Sequence, residues 1–496
     1  MTIVAADKQD EATAAPTTGF VKALTLTDAT MLVAGSMIGS GIFIVSADIG
    51  RQVGSPLWLI IVWVLTGVIT LLGALAYGEL AAMYPRAGGQ YVFLREAMGP
   101  LMAFLYGWTF FAVIMTGTIA AVAVAFGKFL GVLWPGVGAG LYAWFPHFTI
   151  TTSGGPIDVG LSPQRLVGLL TVWVLTWVNL RGVREGKFVQ TSLTIVKTAA
   201  LALLILLGLT ISRNAAAVAA NFGPNLGAGT QLSGAFVMAF GAAMVGSLFS
   251  SDSWNTVTFA AAEVQNPSRN LPLALALGAG LVSVLYILAN FSYLSLLPFH
   301  GSPDGTTVMA RGIQYATQDR VGTAAAQVIF GGVGEAIMAI AILISTFGCN
   351  NGLILSGARV YYAMAGDGLF FRRAGTLNLR HVPAFALVVQ AIWTTVLCLT
   401  GTYGQLLNYV IFAQLLFYVL TTAGLFILRR TRPAVPRPYR AVGYPVLPAL
   451  YVLSAASIAV LLVLSSSTRA QAIAGLVIVL VGIPIYYLWR RVESPA

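Results

Sequence analysis

Long apolar runs dominate this chain of 496 residues and restrict the folds that are open to it. Runs such as 57–77 and 271–297 hold enough apolar residues to cross a hydrocarbon core of ~30 Å, which takes ~20 helical residues. Backbone groups in lipid must pair internally, so spanning segments form helices or closed barrels. Barrel strands alternate apolar and polar residues over ~10 positions, and these runs do not. The sequence therefore predicts an all-α integral membrane protein.

Charge content agrees with this class and predicts an orientation. Charged residues make up 9% of the chain, whereas soluble domains average roughly 25%. If both termini share one side of the membrane, nineteen of the 27 basic residues lie on that side and seven on the other, with Lys197 inside the bilayer. Basic residues favour the cytoplasmic side, so we expect both termini in the cytoplasm and a cell inner-membrane location. We expect twelve spans, near residues 28–52, 57–83, 100–131, 163–180, 188–212, 232–262, 271–297, 334–362, 383–401, 405–428, 445–465 and 471–489.

Several other classes of protein are disfavoured by the same residues. The net charge of +11 follows from the topology, so no nucleic-acid partner is expected. Residues 1–25 are polar and lack the apolar core of a cleavable signal peptide. Cys349 and Cys398 both lie in apolar segments and the three histidines lie in loops. A disulfide framework, a metal site and a cofactor are therefore not expected.

Two of the spans contain polar residues that indicate a break in the helix. The first span carries the glycine and serine cluster 35–41, and the sixth, 232–262, would extend ~45 Å as one helix and holds serines and an aspartate at 249–253. Such residues favour local turns over helix interiors. Matching breaks in two inverted halves point to a transporter's binding site. We predict a tail at 1–25, five-helix repeats at 26–213 and 214–430, two further helices within 431–490, and a tail at 491–496.

The first break offers binding groups of both polarities. Helix packing through Gly35 and Gly39 is the alternative explanation of the cluster. If the helix is interrupted instead, amide donors near Ser40 and Gly41 would receive an anionic group such as a carboxylate. Carbonyls freed just before them, such as that of Met37, would receive an amine. This pairing of polarities suits a zwitterion.

Two ionisable residues inside the spans are also candidate site residues. A charge at the bilayer centre costs ~2.5–3.5 kcal/mol on insertion scales. We expect Asp252 to cap the second half of its broken helix more readily than to contact substrate. We expect Lys197 to hold the first break through its carbonyls, with proton coupling as a further possibility and a plain interhelical bond as the alternative. Nearer the inner side, Arg359 is expected to pair with Asp367.

Five sets of residues form recognisable motifs: 35–43; 77–80 with 84–91; 189–190 with Lys197; 249–255 with Glu263, 266–267 and 270–272; and 437–440 with 443–445. Together they resemble the amino acid–polyamine–organocation (APC) superfamily, specifically its L-type amino acid transporter branch. The resemblance covers roughly residues 25–490.

That resemblance implies a LeuT-type inverted repeat of five plus five helices with two additional helices. It implies a substrate carboxylate on the amides of Ser40, Gly41 and Ile42, and an amino group on nearby carbonyls. It implies that Phe249 closes the site and that Lys197 stands where sodium-coupled relatives bind an ion. The substrate-binding residues that we predict are Met37, Ile38, Gly39, Ser40, Gly41, Ile42, Phe249, Ser250, Asp252 and Asn255.

The sequence thus predicts a secondary transporter of small or medium neutral L-amino acids, working by sodium-independent exchange or proton-linked uptake. A cationic amino acid or polyamine carrier that uses Asp252 as its counter-charge is the alternative. A channel would need a continuous polar lining, whereas the sequence offers only two short breaks. An enzyme would need a nucleophile–base pair or a metal cluster in the spans, and none is apparent, so no enzymatic activity is expected. Animal members of the family pair through a cysteine in the third outer connection. Residues 132–162 hold no cysteine, so no disulfide-linked accessory subunit is expected.

Overall fold

The computed structural model describes residues 19–152, 155–227, 232–400 and 403–493. Residues 1–18 of the predicted tail at 1–25 and residues 494–496 of the predicted tail at 491–496 lie outside these described residues. Within the described ranges the chain forms nineteen α-helices. In order, they are α1 (Leu26–Met37), α2 (Val45–Val53), α3 (Pro56–Met83), α4 (Gln90–Met98), α5 (Pro100–Thr109), α6 (Met115–Leu133), α7 (Pro163–Leu180), α8 (Val183–Leu209), α9 (Ala215–Asn221), α10 (Gly234–Ser250), α11 (Thr256–Phe259), α12 (Pro267–Leu296), α13 (Val308–Arg311), α14 (Val321–Phe330), α15 (Gly334–Gly366), α16 (Ala384–Thr400), α17 (Tyr403–Thr431), α18 (Val446–Leu464) and α19 (Arg469–Glu493).

The helix starts follow from ordinary capping chemistry. Thr25 and Asp28 form a reciprocal capping box at the start of α1, which satisfies amide donors that have no partner within the helix. Ser162 accepts from the N–H of Arg165 at the start of α7. Proline occupies the first position of α3, α5, α7 and α12, where its missing N–H costs nothing.

The long helices confirm a multi-pass membrane protein. Within the described ranges, eight helical stretches are long and apolar enough to cross a bilayer, and α10 and α16 are shorter apolar helices. The remaining two predicted spans, 28–52 and 163–180, correspond to α1 with α2 and to α7. The total of twelve crossings stays a prediction.

Two connections contain more structure than the sequence indicated. A two-stranded antiparallel hairpin, β1 (Phe148–Thr152) and β2 (Gly155–Val159), interrupts the connection before α7, with Phe148 opposite Val159. The connection between the predicted spans 271–297 and 334–362 holds α13 and α14.

The N-terminal segment, residues 19–25, closes against the second half of the fold. The N–H of Leu24 donates to the carbonyl of Glu263 at 2.9 Å, and the N–H of Gln265 donates back to Leu24 at 2.8 Å. We call the membrane side that carries residues 19–25 the N-terminal face. Helix α1 runs inward from this face and packs against α8, α12 and α15, which places its broken end in the centre of the bundle.

Candidate substrate site

The first predicted break is present. Helix α1 ends at Met37, a single 3₁₀ turn covers Gly41–Phe43, and helical structure resumes at Val45 in α2. Within the described residues, the N–H groups of Ser40, Gly41 and Ile42 have no protein acceptor. These three consecutive buried donors, which we call the amide cradle, lie at the start of the second half-helix, an arrangement that can receive an anion.

The second break is present as well. Helix α10 ends at Ser250, and α11 begins at Thr256. Ser253 between them has φ +67°, in the left-handed region that favours glycine over residues with a side chain. Because this backbone conformation is unfavourable for serine, the surrounding structure must stabilise the interruption of the helix.

The two breaks contact each other. A Cβ atom on Gly41 would lie 3.0 Å from the Cα of Ser250, so only glycine allows this approach. The hydroxyl of Tyr286 on α12 lies 3.0 Å from the carbonyl oxygen of Met37 and 3.2 Å from that of Ser250. One side chain thus ties both unwound segments together.

Lys197 on α8 binds backbone carbonyls of the first break. Its Nζ donates to the carbonyls of Gly35 at 2.5 Å and Ile38 at 2.7 Å, and lies 3.2 Å from the carbonyl of Ser345 on α15. The Ser345 hydroxyl lies 3.0 Å from the carbonyl oxygen of Ile38 and 3.1 Å from that of Gly39, and its single proton is shared between the two. The Ile38 carbonyl thus has two fixed donors within hydrogen-bond distance, and a substrate amine would have to compete with them.

A small cavity lies where the two breaks meet. Its volume is about 20 Å³, which holds about one water molecule and is far smaller than an amino acid. Thr118 and Val122 of α6 and Cys349 of α15 complete its wall. The predicted residues that line it are Met37, Gly39, Ser40, Gly41, Phe249, Ser250 and Asp252. The side chains of Ile38, Ile42, Asn255 and Lys197 are not part of the lining.

Asp252 does not cap α11, contrary to the sequence expectation. The N-cap position belongs to Asn255, and no side chain caps that helix. Instead the hydroxyl of Tyr418 on α17 donates to Oδ1 of Asp252 at 2.6 Å. On its other side Asp252 adjoins a second cavity of about 20 Å³, which Gln414 also lines. The carboxylate therefore forms part of the partition between two small cavities.

The expected pairing of Arg359 with Asp367 is wrong. Arg359 Nε donates to Oε1 of Glu263 at 2.8 Å, whereas Asp367 is bound by Arg95 and by the Tyr91 hydroxyl. The prediction relied on the closeness of Arg359 and Asp367 in the sequence. The actual partner of Arg359 is set by the packing of α15 against the end of the sixth span.

Glu79 forms a second buried ionic cluster near the N-terminal face. Arg429 donates to it with two nitrogens, at 2.9 Å and 2.5 Å, and Arg437 lies 3.3 Å away. The N–H of Ala441 also donates to Glu79 at 2.7 Å. This carboxylate thereby joins α3, α17 and the linker before α18.

Sequence reasoning missed several side chains that shape the site. Tyr286, Ser345 and Tyr418 bind the broken segments, yet each lies in an apolar span with no break of its own. Their only signal is a polar atom in an apolar run, which many helix-packing residues share. In the described part of the chain, no three histidine, cysteine or acidic side chains are close enough to hold a metal ion.

Comparison with known proteins gives a consistent set of relatives. The family model described as amino acid permease matches residues 24–485. The chain is 31% identical to the large neutral amino acids transporter small subunit 2 of Oryctolagus cuniculus over 486 residues, which cover 94% of this chain and 80% of that protein. It is 29% identical to the b(0,+)-type amino acid transporter 1 of Homo sapiens over 430 residues, which cover 86% of this chain and 79% of that protein.

Proposed function

This chain belongs to the amino acid permease family, in the L-type branch of the APC superfamily, and from that premise we propose that it carries small or medium neutral L-amino acids by alternating access. As a family member it is an amino acid transporter with a LeuT-type fold. The substrate class, the coupling and the residue roles that follow are our proposal.

The observation that carries the proposal is the contact between the two breaks. Ser40 and Gly41, whose amide donors have no protein acceptor, line a cavity whose other wall includes Ser250, Asp252 and Ser253. A zwitterion presents a carboxylate and an ammonium a few ångströms apart, so it matches both walls at once. Binding a free amino acid in this way leaves no unpaired charge in the membrane interior.

The charges that adjoin the breaks favour a cargo without net charge. In the described part of the chain these are Lys197 and Asp252, of opposite sign. The short side chains of Thr118, Val122 and Cys349 line this cavity, which supports a substrate side chain of small or medium size. Because the present cavity holds about one water, Phe249 and its neighbours must move to admit an amino acid.

Lys197 supports a mechanism that does not use sodium. Its ammonium occupies carbonyl oxygens of α1 and α15, the type of ligand that a hard cation would need. Obligatory exchange or proton-linked uptake are the remaining modes. We propose that Lys197 fixes the break in both.

We further propose that the N-terminal face is cytoplasmic and that the chain lies in a cell inner membrane, because most basic residues flank that face. A disulfide-linked accessory subunit is not part of the proposal. Cys349 and Cys398 are both buried, and residues 132–162 contain no cysteine.

Counter-transport in proteoliposomes tests the substrate class. Vesicles loaded with alanine or serine should take up the same labelled amino acids without sodium, and a gradient of arginine or putrescine should drive little uptake. Gly41→Val protein in matched vesicles gives the background. Exchange of cations alone would replace the neutral proposal by the alternative in which Asp252 binds a cationic substrate.

A further inference from the structure

Helix α4 lies at the N-terminal face and is fastened to the segment below the second break. The N–H of Gly88 donates to the carbonyl of Phe259 at 3.0 Å. Gly89 has φ +45°, and a Cβ atom there would lie 2.7 Å from the backbone carbon of Thr258. The close approach therefore depends on glycine, and it directs the first residue of α4, Gln90, into the bundle.

Gln90 is completely buried and makes two side-chain hydrogen bonds. Its Oε1 accepts from Nδ2 of Asn255 at 2.9 Å, and its Nε2 donates to Oγ1 of Thr421 at 3.0 Å. The Thr421 hydroxyl in turn donates to the carbonyl of Phe417 at 2.7 Å. The Gln90 amide thus joins the chain below the second break to α17.

The second break and α17 also contact each other at the substrate cavity. Tyr418, three residues before Thr421 and on the same face of α17, donates to Asp252, which lies three residues before Asn255. The tie through Gln90 and the contact at Asp252 therefore form two neighbouring cross-links between α17 and the second break. Of these two cross-links, only the one between Tyr418 and Asp252 borders the cavity.

We propose that Gln90 is a positioning residue that keeps the N-terminal face closed beneath the substrate. For cargo to leave by that face, the chain from Asn255 to Phe259 must separate from α17. The Asn255–Gln90–Thr421 tie spans this joint, so it must break at each release. This inference rests on the proposed transport function and adds a residue that sets the rate of opening without contacting the substrate.

The amide suits this task because the tie needs one acceptor and one donor on a single side chain. Replacement of either end leaves a buried polar group without a partner, which favours the open arrangement where water can reach it. The chain offers a matched pair of test positions. Thr421 is part of the tie, whereas adjacent Thr422 is equally buried and its hydroxyl has no partner in the described structure.

Thiol labelling of Cys349 in a Cys398→Ser background measures the opening directly. Cys349 lines the substrate cavity and is buried, so a membrane-impermeant maleimide reaches it only through an open pathway. We expect Thr421→Val and Gln90→Leu to raise the labelling rate from the N-terminal face roughly tenfold, the effect of losing one net hydrogen bond. Labelling from the opposite face should not rise, and Thr422→Val should match the background protein.

Transport kinetics supply the second readout. In Thr421→Val the maximal exchange rate should change by more than the KM measured from the opposite face, because the substrate contacts are intact. The proposal is overturned if Thr421→Val and Thr422→Val label alike, or if labelling rises equally from both faces, which indicates general loosening. Labelling requires no substrate, so a wrong substrate class would show in uptake while leaving this result unaffected.

Discussion

Glu263 and Arg359 form an ion pair of 2.8 Å in which each side chain is only 1% exposed. The pair joins the chain after α11 to α15, beside the backbone bonds that hold Leu24 against residues 263–265. The ion pair therefore lies where the N-terminal segment, the chain that follows α11 and helix α15 are in contact.

Removal of one partner of this pair should be costly. Glu263→Gln leaves the buried Arg359 guanidinium without its counter-charge, and breaking such a pair costs ~3–5 kcal/mol. We expect a large fall in the thermal unfolding midpoint of the purified protein. The double variant Glu263→Leu with Arg359→Met should recover much of the loss, because no unpaired charge remains. A double variant that is no more stable than the single one would contradict this account.

Loss of Lys197 should stop or uncouple transport while the chain still folds. Lys197→Ala removes the donor to Gly35 and Ile38, so the first break loses its fixed shape. Uptake in proteoliposomes across a range of pH, with an unfolding curve for each protein, measures both effects. Thr198→Val is the control, since the Thr198 hydroxyl has no partner in the described structure. Unchanged rates and pH dependence in Lys197→Ala would refute the role.

A side chain at Gly41 should abolish binding. Gly41→Val would drive its side chain into Ser250 and cover the amides of the cradle. Since hydrogen bonds to charged groups contribute ~1.5–3 kcal/mol each, substrate affinity should fall by roughly 100-fold or more. Gly280→Val on α12 is a suitable control, because a Cβ atom there meets nothing within 4 Å. Thermal-shift titration with neutral amino acids gives the two affinities.

The Glu79 cluster should depend on the planar shape of arginine. Arg429→Lys retains the charge but loses the two-pronged contact, at a cost of ~1–3 kcal/mol. The linker at 432–445 should then be cut faster in limited proteolysis, because Glu79 no longer fastens α17 and that linker together. Arg430→Lys, at an exposed neighbouring position, should be cut at the wild-type rate. Equal rates for both variants would show that the linker is held elsewhere.

The membrane class and both breaks could be predicted from local sequence, because each depends on the residues in one segment. Apolar length and the serine and glycine clusters at 35–41 and 249–253 carry that information. The partners could not be predicted in this way. Glu263 reaches Arg359, and Asp252 reaches Tyr418, only after the helices have packed. The role expected of Asp252 at a helix start failed for the same reason, since α17 supplies the partner.

The π-helical stretch Phe110–Ile114 between α5 and α6 also had no signal in the sequence. Its residues are all apolar and would fit an α-helix equally well. A widened turn of this kind is often found next to functional sites. Here it lies in the helix that brings Thr118 and Val122 to the cavity.

The two donors beside the Ile38 carbonyl, Lys197 and Ser345, bear on how the protein avoids leaking protons across the membrane. Peptide groups without partners in a bilayer attract water, and a file of water through a carrier would conduct protons and dissipate the gradients on which a cell depends. Lys197 and Ser345 take the place of that water with fixed atoms. The Ile38 carbonyl therefore needs no water, so that on this side the molecule gains a flexible joint at its centre without a path for a file of water.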